Sequence, residues 1–203
     1  MHLHFSPLRR VQVHKDSDGR SYLVSVQSEE MSCGLAAVAM LIRQLNPAAF
    51  SDAPGEEHRL KEIAAKFPGS LKESDKLWAK EPIGEYGTLQ YGSMASNVKA
   101  LIKSQKIEIT GHAVATRDHR TRVILAPARI NLKRLAKPAV VLWGWYPDGV
   151  KNGRTGGHFT TLAGVTKAKA VVVLDPWDGS LSEIDPGKNY QSVGVAEQIF
   201  YTG

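Results

Sequence analysis

The sequence predicts an α+β domain, with helices in its first half and an antiparallel sheet in its second. Three observations carry that expectation. Residues 36–42 are an almost unbroken apolar run that stops at Asn46-Pro47, the pattern of a helix buried on every side. Later, Ala139–Trp145 (AVVLWGW), Gly156–Val165 (GGHFTTLAGV) and Val171–Asp175 (VVVLD) read as strands. With 203 residues and 42% hydrophobic content, the chain can also close a core without disulfides or metal. The expected organisation is one domain over residues 1–203: an N-terminal hairpin (1–27), a helical half (28–105) and a β half (106–203).

In chain order, residues 11–14 (VQVH) and 21–27 (SYLVSVQ) alternate like strands around Asp16-Ser17-Asp18-Gly19, which predicts a hairpin. The Asp-x-Asp-Gly turn lacks the remaining ligands of a calcium loop. His2, His4 and His14 have no spacing that fixes a metal geometry and read as surface histidines, so neither metal nor cofactor is expected. Ser32 is placed to cap the buried helix at its start, and Asn46-Pro47 ends it. Residues 56–67 have helical spacing with Leu60, Ile63, Ala64 and Phe67 on one face, stopped by Pro68-Gly69. Residues 71–91, rich in Lys, Glu, Gly and Pro, are expected to be a long loop walling a cleft.

A third helix is predicted over 92–104, with Met94, Val98, Leu101 and Ile102 inward, followed by short strands at 107–110 and 122–125. Residues 131–136 form a helical turn before Pro138. The four residues 166–169 suit a hairpin that makes the His158 and Asp175 strands neighbours, and 193–201 completes the sheet. The Gly-rich loop 146–155, just ahead of His158, is placed to act as a lid.

The only cysteine, Cys33, falls in the first turn of the buried helix, where unpaired N–H groups and the helix dipole favour an anion. Gly34 leaves the space above the sulfur open. Gln27, six residues upstream, can bring a side-chain amide to the same point as the Cys33 N–H, so that both meet one developing oxyanion. His158 opens one strand and Asp175 closes the next. In register, the acid holds the imidazole in one tautomer while the other ring nitrogen faces the thiol. Gly157, beside that histidine, joins Gly34 as an expected substrate-binding position.

The segments QSEEMSCGLAA, GGHF and LDPWDG, in that order, resemble the papain-like cysteine peptidase superfamily. Within it the similarity is to bacteriocin-leader peptidases and related bacterial domains, which have a Gln before a Cys-Gly-Pro-Ala helix start, a Gly-His-Phe strand and an Asp-Pro strand end. Leu35 stands where those peptidases usually have proline, and Gln-Ser-Glu with Cys-Gly-Leu-Ala is instead similar to phytochelatin synthase. The resemblance implies a papain-like fold, Gln27 in the oxyanion hole, Cys33 as nucleophile, His158 as general base and Asp175 as its orienting acid. Peptide hydrolysis is the expected reaction on a protein or peptide substrate. Deamidation, transpeptidation and peptide binding without catalysis are the alternatives.

The net charge of +6 is scattered rather than gathered into a stripe with exposed aromatics, so nucleic acid is not an expected partner. Neither a Sec-type signal peptide nor a window of ~18 apolar residues is present, which predicts a cytoplasmic protein or one exported by a signal-peptide-independent route, with no membrane partner. No autoinhibitory prodomain is evident. That leads to the expectation of a bacterial effector or toxin domain held in check by an inhibitory partner protein.

Overall fold

A computed structural model describes residues 11–28, 32–47, 53–64, 95–121, 123–151 and 154–203. It is a mixed helix and sheet structure in which the helices precede most of the sheet. The main sheet has six strands in the spatial order β3 (Ile109–Val114), β10 (Gly194–Thr202), β6 (Ala139–Trp145), β7 (Gly156–Val165), β8 (Val171–Asp175) and β9 (Ser180–Ile184). All neighbouring pairs are antiparallel.

Both faces of this sheet are covered, and that is why β6 and β8 read as continuous apolar runs instead of alternating ones. On one face Val140, Leu142, Phe159 and Phe200 pack against α1 (Cys33–Leu45), Leu60 of α2 (Ala53–Ala64) and Val98, Leu101 and Ile102 of α3 (Ala95–Ser104). On the other, Val141, Trp143, Leu162 and Val173 meet Tyr190 and Leu135 of the 3-10 helix Leu132–Ala136. Residues 34–43 of α1 are all buried. Removing Leu35, Met40 and Leu41 from water contributes about 1.5–3 kcal/mol each. Ser32 is the N-cap residue, but its side chain makes no capping bond; its carbonyl accepts the first helical bonds, from the Leu35 and Ala36 N–H groups, both at 3.0 Å.

The hairpin β1 (Val11–Lys15) and β2 (Ser21–Ser25) lays Tyr22 and Val24 onto Met40, Val172 and Leu174. Its turn is organised by the buried Asp16, which accepts from Tyr22 Oη, Arg20 Nε and the Asp18 and Arg20 N–H groups. Asp16 therefore serves as a turn residue. Among the described residues no group of three His, Cys, Asp or Glu side chains is placed to hold a metal ion, and no helix is long and apolar enough to cross a membrane.

Several expected boundaries shift. The strand expected at 107–110 is Ile109–Val114, and the one expected at 122–125 is β5 (Ile124–Ala126), paired with β4 (Thr116–Arg117). β10 is an interior strand between β3 and β6, held on both sides. β9 was not expected: SLSEI is a partly exposed edge strand, and such an edge needs no apolar signal. The 71–91 loop, Phe67 with Pro68-Gly69, Met94, His2, His4 and residues 152–153 of the loop before His158 lie outside the described residues.

Candidate active site

His158 is the third residue of β7 and Asp175 the last of β8. The register pairs Thr161 with Leu174, so Asp175 falls beside Thr160, and strand alternation puts it on the same sheet face as His158. There His158 Nε2 and Asp175 Oδ1 are 2.6 Å apart. β7 runs on past the end of β8, which leaves that edge of the imidazole to the start of α1. From there Cys33 is close enough to the imidazole to help raise its pKa. With Nε2 taken by the carboxylate, Nδ1 is the ring nitrogen left to exchange a proton with the thiol.

Burial disfavours a charged imidazole, but the hydrogen bonds from His158 to Asp175 and Cys33, with the charges of both, outweigh it. The His158 pKa is raised from 6.5 to about 9. For Asp175, burial acts against the carboxylate, and the hydrogen bonds from His158, Tyr190 and the Trp177 N–H overcome it and hold the acid below its usual value. The Trp177 N–H reaches Oδ1 at 2.8 Å, Tyr190 Oη donates to Oδ2 at 2.6 Å, and Gln191 Nε2 lies 3.5 Å from Oδ2. The pair is nearly sealed from solvent, with His158 at 6% exposure and Asp175 at 1%. Trp145 stacks on the imidazole with centroids 6.0 Å apart, and Tyr190 lies against Trp143 and Trp145.

Gln27 is half-buried two residues beyond β2, and its N–H donates to the Pro176 carbonyl at 2.7 Å. That bond ties it to the residue following Asp175. On its other side Ser28 is clamped by the buried Glu57 of α2, which accepts from the Ser28 N–H at 3.0 Å and from Oγ at 2.5 Å. Gly34 is buried in α1, while Gly157 is exposed and pairs with Gly144 of β6. A Cβ on Gly157 would meet the Arg154 guanidinium, the far end of a flexible side chain that can shift.

The structure thus hydrogen-bonds His158 to Asp175, sets Cys33 beside the imidazole, and places Gln27 against the strand end that carries the acid. Such an arrangement can generate a nucleophilic sulfur and move a proton at Nδ1. Sequence reasoning missed Tyr190, Trp145 and Glu57. Tyr190 lies 15 residues from Asp175 and Glu57 lies 29 from Ser28, and neither sits in a local pattern that marks its partner. No protein-family model matches the chain, and no curated protein matches it significantly.

Proposed function

We propose that this chain is a papain-like cysteine peptidase, hydrolysing a peptide bond of a protein substrate through Cys33, His158 and Asp175. The observation that carries this reading is the buried hydrogen-bonded pair of His158 and Asp175 with Cys33 beside the imidazole, where a helix N-terminus meets an antiparallel sheet. The Cys33 thiolate attacks the carbonyl carbon, a C–S bond forms, and the carbonyl electron pair moves to oxygen. The Gln27 amide and the Cys33 N–H receive that oxyanion, one such donor contributing about 2.7–4 kcal/mol. Nδ1 of the His158 imidazolium gives its proton to the leaving amine as the C–N bond breaks. Water then attacks the thioester, Nδ1 takes the proton back, and the thiolate departs. Asp175 stays ionised throughout and keeps the Nε2–H tautomer.

The test is a mass-spectrometric search of cell extract treated with wild type or with Cys33→Ala. New peptide termini that appear only with wild type are expected. Glutamines converted to glutamate without new termini would move the reaction to side-chain amides, and no difference between the two treatments would leave peptide binding as the function. The effector reading rests on the sequence alone. It predicts that wild type, and not Cys33→Ala, slows the growth of a naive bacterial host.

A further inference from the structure

β10 is entered through a tight turn that starts at Tyr190. Tyr190 and Gly194 bond each other's backbones, with N–H to carbonyl distances of 2.8 and 2.7 Å, and the chain between them reverses through Gln191 and Ser192 at φ 45° and 69°. Both lie in the left-handed region that glycine adopts far more easily, so the turn holds backbone strain. Its side chains meet at Asp175. Tyr190 Oη donates to Oδ2 at 2.6 Å, while Gln191 Nε2 lies 3.3 Å from Oη and 3.5 Å from Oδ2. Two consecutive side chains of a strained turn therefore converge on one carboxylate oxygen.

The Tyr190 ring is fixed in place. It is 1% exposed and stacked on Trp143 with centroids 5.0 Å apart, and Trp143 is itself pinned by its indole N–H, which donates to Thr160 Oγ1 at 2.9 Å. Trp145 lies against both this ring and the imidazole. Burial and the Asp175 charge push the phenol well above its usual range, so it stays a neutral donor. Among the described residues, the titratable groups around the carboxylate are His158 of β7, Tyr190, and Cys33 of α1 beside the imidazole. Asp178, in the turn after β8, adds a negative charge felt at Tyr190, and β6 contributes only the uncharged Trp143 and Trp145.

Oδ1 is the oxygen that acts on the imidazole, accepting from His158 Nε2 and the Trp177 N–H, and Oδ2 is given over to the turn. A carboxylate shares one charge between its oxygens, so a donor on Oδ2 draws charge away from Oδ1 and loosens its hold on the imidazolium. The Gln191 amide, donating to Oη, polarises the hydroxyl and strengthens that pull. Too tight a hold would leave little neutral imidazole to take a proton from water.

We propose that Tyr190 is a positioning residue which, acting through Oδ2 of Asp175 with Gln191 behind it, tempers the carboxylate so that His158 can take up as well as release a proton. The inference rests on the cysteine peptidase reading, since only a reacting histidine needs to do both.

Its test is the titration of His158 itself, followed by histidine-selective NMR in a Cys33→Ala background, where the thiol does not titrate with the ring. His158→Ala assigns the signal among the seven histidines. Tyr190→Phe keeps the ring and removes the donor, and the His158 midpoint is expected to rise by about half a unit, a part of the roughly one unit that a hydrogen bond to an ionised group represents. Gln191→Ala, at an exposed turn position, is expected to raise it by about a quarter of a unit. A packing role predicts no rise, because a loosened pair gives the imidazolium less support. A midpoint that stays or falls in folded Tyr190→Phe would overturn the proposal. If Tyr190→Phe does not fold, a rise in Gln191→Ala supports the proposal and an unmoved or lowered midpoint overturns it. The peptidase reading fails separately, when iodoacetamide labels wild type no faster than His158→Ala.

Discussion

Replacing Asp175 with Asn removes a charge while nearly preserving shape. Oδ1 accepts from His158 Nε2 and from the Trp177 N–H, and Oδ2 faces the Tyr190 hydroxyl. An asparagine oxygen turned toward His158 keeps the first two bonds. Its NH₂ then meets Tyr190, whose hydroxyl can rotate to accept. The fold and the Nε2–H tautomer should survive, and the charge that helps raise His158 to about 9 is lost. An opposite charge at this range shifts a pKa by about 1–3 units, and each unit is about 1.4 kcal/mol.

The sign of the stability effect follows from linkage. A raised histidine pKa contributes stability that is fully present below about 6.5 and disappears as the pH climbs through about 9. Asp175→Asn should therefore destabilise by about 1–4 kcal/mol more near pH 6 than near pH 10. Urea unfolding at the two pH values measures the difference. Histidine-selective NMR, with His158→Ala assigning the signal among the seven histidines, measures the fall in the midpoint. An unmoved midpoint with the same cost at both pH values would refute the reasoning.

Tyr190→Phe deletes the donor to Asp175 Oδ2 but keeps a ring to stack on Trp143 and Trp145. It should cost about 1–3 kcal/mol in urea unfolding. Glu57→Ala releases the Ser28 N–H and hydroxyl and loosens the segment carrying Gln27. Turnover of substrates found in extract should fall, while Cys33 alkylation by iodoacetamide should keep its wild-type rate, since the thiol and imidazole are untouched.

What could be read from the sequence was whatever is written locally. α1 announced itself because ten consecutive residues, 34–43, are buried. The neighbouring placement of β7 and β8 followed from the short connection between them, five residues in the structure, and that pairing brought His158 toward Asp175. Edge strands were read poorly because one side of them faces water: β3 alternates half-buried and exposed residues through Thr110, Gly111 and His112, and β9 is partly exposed. The partners that set the electrostatics came from far along the chain. Glu197 meets Arg117 across 80 residues and Tyr146 across 51, and nothing around any of the three marks the others.

The central claim is that His158 activates Cys33, and the most direct measurement is the rate at which a thiol-directed epoxide labels Cys33 at neutral pH in wild type and in His158→Ala. An isolated cysteine is only a few per cent thiolate there, so a thiol paired with an imidazolium should label at least about tenfold faster. The account predicts that difference between two equally folded proteins, and equal rates in the two would contradict it.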